Sequence, residues 1–237
     1  MLKDKKLSGE KPTWLTFDCY GTLIQWDEGV RAALTQILQK YDRSDIALKD
    51  IIAWHDDREH ELEQSVPFMK FRKIVAQSFV EAMAHFGVTT DQADFDILIG
   101  RISAMPPFPE VVAALTELKQ MGFKLCIVSN AEDAVIAGNV AQLGGTIDRV
   151  ITAEQAEAYK PSPRLFNHAY RQLGIDKSDV VHICASPLLD LTAARDIGFR
   201  CVWIDRGTGR QAPADYTPDA VLPNLSHVPE LFKSLGW

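Results

Sequence analysis

The chain has 237 residues, of which 46% are hydrophobic and 24% are charged, an ordinary composition for a globular protein with a buried core. Its net charge of −7 disfavours nucleic acids and anionic membranes as partners, because both select basic surfaces. No segment approaches the ~18 consecutive apolar residues of a membrane span. The polar, lysine-rich start lacks the apolar segment of a signal peptide, so we expect residues 1–11 to form a disordered lead-in.

The four cysteines are spread along the chain at Cys19, Cys126, Cys184 and Cys201, with no CxxC pair among them. Such spacing favours reduced thiols over a disulfide framework or a zinc site. We therefore expect a cytoplasmic protein.

The first predicted strand is the apolar run from Trp14 to Phe17, which ends in Asp18 and is followed by Gly21 and Thr22. This pattern is typical of a buried strand that delivers a carboxylate to the edge of a sheet, where the backbone must turn. At such a position Asp18 could act as a nucleophile, bind a metal or cap a helix.

The following segment, residues 28–104, contains no convincing strand, and its sequence pattern predicts helices. Apolar residues recur at helical spacing between Phe68 and Phe86, before Gly87, which predicts one amphipathic helix with a core-facing stripe. The neighbouring sequence favours further helices at about 28–41, 46–64 and 91–104. A proline-rich stretch, 105–109, then interrupts the helical pattern.

Strand and helix patterns alternate from residue 110 onward. Strands are predicted at 124–128, 149–152, 180–184 and 200–204, and helices at 110–120, 133–143, 163–173 and 188–197. Apolar strands separated by short helices indicate a parallel sheet that is covered on both faces. We predict an α/β fold with a doubly wound, parallel Rossmann-like sheet, its core formed by 12–27 and 105–237, and an inserted helical cap at 28–104.

Polar residues follow several of these strands, at the sheet edge where doubly wound folds bind ligands. They are Asp18, Ser129, Asn130, Lys160 and Asp190. A carboxylate can form a covalent intermediate, a lysine can keep that carboxylate ionised, and neutral side chains can donate to an anion. Each residue also has a structural explanation, as a helix cap or a solvated loop side chain. Their order along the chain favours a shared active site.

At these residues the chain resembles the haloacid dehalogenase superfamily, over Trp14 to Phe232. The sequences FDCYGTL, IVSN, YKPSPRLF and DLTAARDIGF are similar to its four motifs and occur in the same order. The resemblance implies a Rossmann-like core with a helical cap inserted after the first motif, as the pattern of elements also predicts.

Two positions separate the branches of that superfamily. The phosphatases of that superfamily typically have the sequence Asp-x-Asp-Gly-Thr in the first motif. They also carry an acidic metal ligand five residues before the aspartate of the last motif. Here these positions are Tyr20 and Ala185. Too few oxygen ligands remain for a hard cation such as Mg²⁺. The chain is instead similar to the metal-independent 2-haloacid dehalogenase branch, so we expect no metal and no cofactor.

The resemblance implies that Asp18 displaces halide from C2 of an (S)-2-haloacid and forms an ester, which water then hydrolyses to a 2-hydroxy acid. Thr22, Ser129 and Lys160 would support Asp18. Asn130 would lie near the halide or the substrate carboxylate, and Asp190 would orient Lys160 or the hydrolytic water. The implied partner is a small anionic substrate, and the branch suggests a homodimer.

Two further residues, Arg58 and Trp26, each allow two interpretations. Arg58 is the best candidate to bind the halide, although it lies in a charge cluster where a solvated arginine is as reasonable. Trp26 could line the pocket, with Tyr20, or only seal the cap hinge. The branch's hydrogen-bonding residues are replaced at Ala185, Pro187 and Phe166, so the hydrolytic step must be arranged differently.

These departures leave other functions open. The same nucleophile could open another small carboxylic acid electrophile, such as a strained-ring amino acid. A Mg²⁺-dependent phosphatase is disfavoured by Tyr20 and Ala185. A non-catalytic binding protein on the same fold is the remaining alternative.

Overall fold

A six-stranded sheet forms the centre of the computed structural model, which describes residue 7 and residues 9–237. Every adjacent pair of strands is parallel, and the strand order is β3-β2-β1-β4-β5-β6. The strands are β1 Trp14–Phe17, β2 Lys124–Ser129, β3 Arg149–Thr152, β4 Val180–Cys184, β5 Arg200–Ile204 and β6 Ala220–Leu222. The predicted doubly wound α/β fold is confirmed.

Strand β1 is the central element of this sheet. It pairs with β2 on one side and β4 on the other, so Phe17 lies between Ile127 and Ile183. The strand is buried along its whole length, which explains its uninterrupted apolar sequence. The chain order of the strands reverses at β1, and a ligand crevice opens beyond the carboxyl ends of strands at such a point. Asp18 is the next residue.

The cap consists of four helices between β1 and the proline-rich stretch. They are α1 Trp26–Lys40, α2 Leu48–Glu63, α3 Phe71–His85 and α4 Gln92–Ala104. The two connections to the core pair with each other, since the Gln25 amide donates to the Pro106 carbonyl at 3.0 Å. Asn139 of the core donates to the Ile102 and Met105 carbonyls at 2.9 and 3.1 Å, which fixes the end of α4.

Six helices cover the two faces of the sheet. They are α5 Val111–Gln120, α6 Asp133–Val140, α7 Ala153–Ala156, α8 Pro163–Leu173, α9 Thr192–Ile197 and α10 His227–Ser234. The helix predicted at 188–197 is in fact a π-helical turn, Pro187–Leu191, followed by α9. Strand β6 and helix α10 were not predicted from the sequence.

The predicted lead-in lies only partly within the described residues. Leu7 is buried, and the Lys11 ammonium donates to the Met121 carbonyl at 2.6 Å, so these two residues pack against the core instead of extending freely. Residues 1–6 and residue 8 lie outside the described residues. Within the described ranges, no helix has the length and apolar character needed to cross a bilayer.

Candidate active site

Three charged side chains meet below the crevice. Lys160 is fully buried, and its ammonium lies 2.9 Å from Asp18 Oδ1 and 2.7 Å from Asp190 Oδ1. Asp18 comes directly after β1, Lys160 follows α7, and Asp190 lies on the π-helical turn after β4. Parallel strands bring their carboxyl ends to one edge, which explains why three distant segments converge here.

Burial and the neighbouring charges have opposite effects on these groups. Burial raises the pKa of Asp18, while Lys160 acts against this shift and favours the carboxylate. Burial also opposes ionisation of Asp190, but Lys160 and His182 outweigh it and lower the pKa of Asp190. Burial alone would lower the pKa of Lys160 and favour its neutral form. Asp18 and Asp190 outweigh this effect and raise the pKa of Lys160 above its ordinary value. The ammonium is therefore retained inside the protein.

Thr22 holds the second oxygen of Asp18. Its hydroxyl donates to Asp18 Oδ2 at 2.6 Å and accepts a hydrogen bond from the Ala185 amide at 2.8 Å. The turn that carries Thr22 is itself fixed by Arg206, whose guanidinium donates to the Thr22 and Gly21 carbonyls at 2.6 and 3.1 Å. Asp18 thus has one oxygen bound to Lys160 and the other to Thr22.

A second row of buried residues supports Asp190 from behind. His182 Nε2 lies 3.0 Å from Asp190 Oδ1, and His182 Nδ1 lies 2.9 Å from the Thr16 hydroxyl. Phe166 packs edge-on against His182, with ring centroids 5.4 Å apart. Sequence reasoning missed His182 and Thr16 as part of the site. The available signal was a histidine within an otherwise apolar strand.

Asn130 connects the core to the cap. Its side-chain oxygen accepts from the Lys160 amide at 2.7 Å, and its side-chain nitrogen donates to Glu63 Oε1 of α2 at 3.0 Å. Gln64 adds a parallel contact, because its side chain donates to the Lys160 carbonyl at 3.2 Å. The cap therefore contacts the segment that carries the buried lysine.

A cavity of about 680 Å³ lies between the cap and Asp18. On the core side it is lined by Asp18, Tyr20, Ser129 and Asn130, with Trp26 at the cap hinge. The Tyr20 hydroxyl donates to Asn139 Oδ1 at 3.1 Å, and its ring packs on Trp26 with centroids 4.9 Å apart. These five residues, all expected from the sequence, border one space.

Arg58 does not line this cavity, contrary to the prediction. Its guanidinium donates to Glu81 Oε2 at 2.6 Å and to Glu61 Oε2 at 2.8 Å, at the surface of the cap. Successive residues of a helix are rotated by about 100°, so the neighbouring Glu59 faces the cavity instead. The arginine that does line the cavity is Arg210, from the loop after β5, which sequence reasoning also missed.

The cap side of the cavity is acidic. Asp56, Asp57, Glu59 and Glu63 of α2 all line it. Glu59 and Glu63 are 9% and 6% exposed, and burial raises the pKa of each to about 8. The sequence did not predict an acidic side of the cavity, because the charged residues around Arg58 on α2 were interpreted as a solvated surface cluster.

The donors near Asp18 do not fit a divalent metal. Tyr20 and Ala185 provide no carboxylate, and the Lys160 ammonium lies between Asp18 and Asp190. Elsewhere in the part of the chain that the structure describes, His182, Cys184 and Asp190 bring potential ligand atoms within 4.8 Å of one another. A cation there would meet the ammonium that already contacts Asp190, so like-charge repulsion disfavours it.

The fold and this site together define a doubly wound α/β protein with a helical cap over a buried Asp–Lys–Asp cluster. The family model for haloacid dehalogenase-like hydrolases matches residues 13–198, and the chain belongs to that family. It is 30% identical to an (S)-2-haloacid dehalogenase from Pseudomonas sp. (strain YL), over 70% of this chain and 72% of that protein. It is 27% identical to haloacetate dehalogenase H-2 from Moraxella sp. (strain B), over 92% and 96%.

Solved structures show the same fold. The L-2-haloacid dehalogenase from Xanthobacter autotrophicus, with chloropropionic acid covalently bound, matches with a TM-score of 0.81 at 18% identity. The match covers 94% of this chain and 99% of that one.

Proposed function

We propose that this protein hydrolyses the carbon–halogen bond of small (S)-2-haloacids through a covalent ester on Asp18, without a metal. The observation that supports this most is the position of Asp18, a carboxylate that borders the cavity under the cap and that, among the described residues, is held by Lys160 and Thr22. The names of the curated relatives agree with this chemistry.

In the first step an Asp18 oxygen attacks C2 in line with the carbon–halogen bond. The new carbon–oxygen bond forms as halide leaves with the bonding electron pair, so the configuration at C2 inverts. Halide needs no proton, and no oxyanion develops at this stage. Lys160 contributes by favouring the ionised form of Asp18 against the effect of burial, since the nucleophile must be a carboxylate.

In the second step water adds to the Asp18 carbonyl carbon and releases one of its two protons to solvent. The tetrahedral intermediate carries negative charge on the former carboxylate oxygen, which Lys160 or Thr22 stabilises by hydrogen bonding. The ester oxygen then leaves with a proton as the hydroxyl of a 2-hydroxy acid, and Asp18 returns as a carboxylate. Asp190 is fully buried behind Lys160, which supports a role in orienting the lysine over direct contact with water.

The substrate's carboxylate belongs near Ser129 and Asn130 in this proposal. Both residues border the cavity beside Asp18, and the Ser129 hydroxyl is the neutral donor for it, since the Asn130 side-chain nitrogen already donates to Glu63. A cytoplasmic location and a homodimer remain part of the proposal; sedimentation equilibrium tests the dimer.

The activity is tested by incubating the protein with (S)-2-chloropropionate in EDTA and measuring chloride release. We expect chloride from the wild type and none from Asp18→Asn. Repeated turnover in ¹⁸O water should label Asp18, as detected by peptide mass spectrometry. Hydrolysis of p-nitrophenyl phosphate with Mg²⁺, without any chloride release, would favour a phosphatase instead.

A further inference from the structure

The guanidinium of Arg206 contacts the turn that carries Thr22. Within the described residues, none of the turn's own backbone hydrogen bonds reaches the carbonyls of Gly21 and Thr22. Arg206 supplies both donors, from Nε to the Gly21 carbonyl at 3.1 Å and from Nη2 to the Thr22 carbonyl at 2.6 Å. Buried carbonyls without donors are costly, so this pair of hydrogen bonds stabilises the turn.

Arg206 is itself held in one orientation. Its Nη2 lies 2.9 Å from Glu110 Oε1, its guanidinium carbon lies 3.4 Å from the centre of the Phe108 ring, and its side chain is 11% exposed. Phe108 belongs to the second connection between cap and core, and its amide donates to the Leu23 carbonyl of the same turn at 3.0 Å. A planar guanidinium with donors at fixed angles suits two neighbouring carbonyls, whereas the single ammonium of a lysine does not.

The turn matters for the reaction because of the hydroxyl that it carries. Thr22 is fully buried, and its hydroxyl donates to Asp18 Oδ2 at 2.6 Å while it accepts from the Ala185 amide at 2.8 Å. Both contacts depend on where the backbone of the turn lies, and Arg206 fixes that backbone. Arg206 does not line the cavity that Asp18 borders, so an effect on the reaction must pass through the turn.

We propose that Arg206 is a positioning residue of this reaction, which acts on Asp18 through Thr22. The inference rests on the proposed function, because it concerns Asp18 as the nucleophile at C2. In-line attack requires an Asp18 oxygen to stay aligned with the carbon–halogen bond, and a small misplacement lowers the rate. With Lys160 on Oδ1 and Thr22 on Oδ2, a loosened turn leaves one of the two oxygens without its donor.

The same hydrogen bond affects the ionisation of Asp18. Burial raises the pKa of Asp18 and Asp190 adds to this shift, whereas Lys160 and the hydrogen bond from Thr22 lower it. The other titratable side chains that interact with Asp18, whose own pKa values burial raises, are Cys19, Tyr20 and Cys184. A weaker hydrogen bond from Thr22 therefore raises the pKa of Asp18. The acid limb of the pH profile of kcat/KM should then move to higher pH in Arg206→Lys.

The test is a double-mutant cycle between Arg206→Lys and Thr22→Val, with chloride release from (S)-2-chloropropionate as the assay. Valine retains the shape of threonine but has no hydroxyl to position. We expect Arg206→Lys to lower kcat about tenfold while KM stays nearly constant, because the residue acts on the nucleophile and not on binding. In the Thr22→Val background the same change should alter kcat by less than about twofold. An equal loss of kcat in both backgrounds would overturn the inference.

Arg200→Lys is the matched control. Arg200 begins β5, at the opposite edge of the sheet from Arg206, and it also donates to two carbonyls, those of Ser178 and Val180, at 2.9 and 3.3 Å. Its guanidinium packs over the Trp237 ring at 5.6 Å. We expect Arg200→Lys to lower stability in urea denaturation as Arg206→Lys does, but to leave kcat unchanged. A similar loss of kcat in the control would assign the effect to general stability and overturn the inference.

Glu110→Gln takes the place of Arg206→Lys in the cycle if that variant does not fold. It keeps Arg206 but removes the charge that holds the guanidinium. We expect a smaller loss of kcat, about threefold, that again disappears in the Thr22→Val background. The same loss in both backgrounds would count against the inference, as in the first cycle.

Titration of the Asp18 carboxyl by ¹³C NMR, assigned with Asp18→Asn, gives a readout that does not depend on turnover. We expect the pKa of Asp18 to be higher in Arg206→Lys than in the wild type, and unchanged in Arg200→Lys. If the wild type releases no chloride, the proposed dehalogenase function fails, while this shift still supports the positioning of Asp18 by Arg206. An unshifted pKa of Asp18 in folded Arg206→Lys would overturn the inference even if the wild type is a dehalogenase.

Discussion

Thr16 on β1 and His182 on β4 are direct neighbours across the two central strands, and the Thr16 hydroxyl lies 2.9 Å from His182 Nδ1. The other ring nitrogen of His182 contacts Asp190, which in turn contacts Lys160. A row of buried polar groups thus extends from inside the sheet to the nucleophile. Buried polar groups are costly to leave unpaired, so each member constrains the next.

We predict that His182→Phe lowers both stability and activity. The change leaves the Thr16 hydroxyl without its histidine partner and removes a donor from Asp190, and we expect a loss of about 1–3 kcal/mol in the free energy of unfolding. Urea denaturation measures this loss. Chloride release should fall about tenfold because Asp190 no longer holds Lys160 firmly, and the pH profile of kcat should shift. An unchanged profile in a folded variant would limit His182 to packing.

Lys160→Met should be the most damaging single change in the site. It leaves Asp18 and Asp190 buried without the ammonium that lies between them, and removing one partner of a buried ion pair costs about 3–5 kcal/mol. We expect no measurable chloride release, and a thermal midpoint well below that of the wild type. Lys70→Met, at an exposed pair with Glu154, is the control and should change little.

Substitution of Arg58, the arginine predicted from the sequence, should affect activity differently from substitution of Arg210, the arginine that lines the cavity. Arg58→Ala should leave kcat/KM for (S)-2-chloropropionate within about twofold, because Arg58 contacts Glu61 and Glu81 at the cap surface. Arg210→Gln should raise KM, since Arg210 lines the cavity. A large loss of activity with Arg58→Ala would show that the cap rearranges around the substrate.

Stability should fall with rising pH because of the cap glutamates. Glu63 has its pKa raised to about 8 in the folded protein, so ionisation above about pH 4.5 favours the unfolded chain until the folded group also titrates. Its stabilising contribution is complete at low pH and is lost between about pH 4.5 and 8. Relative to wild type, Glu63→Gln should therefore gain stability from pH 5 to pH 8, by up to a few kcal/mol. Urea denaturation at both pH values measures this difference. A constant difference would contradict the prediction.

Much of the site on the core side of the cavity could be predicted, because its residues follow the carboxyl ends of the strands. Asp18, Lys160 and Asp190 follow apolar strands or the connections next to them, and parallel topology alone brings such residues together. Strand β6 has only three residues, too few for a periodic pattern to be recognised.

The side of the cavity formed by the cap was much harder to predict. Arg58 and Glu59 are adjacent in a charged sequence, and the rotation of α2 decides which of them faces the cavity. That rotation depends on packing between α2, α3 and the core, which a charge cluster does not reveal. His182 was hidden for a related reason, because its partner Thr16 lies on another strand, 166 residues away.

The hydrogen bond between Asn130 and Glu63 links the cap to the core segment that carries Lys160. One amide side chain holds the Lys160 backbone with its oxygen and the cap helix with its nitrogen. Gln64 of the cap adds a second contact to the same segment, through the Lys160 carbonyl. The cap helix therefore helps to fix the backbone of the residue whose ammonium supports Asp18, so a substitution in α2 can alter the nucleophile without touching it.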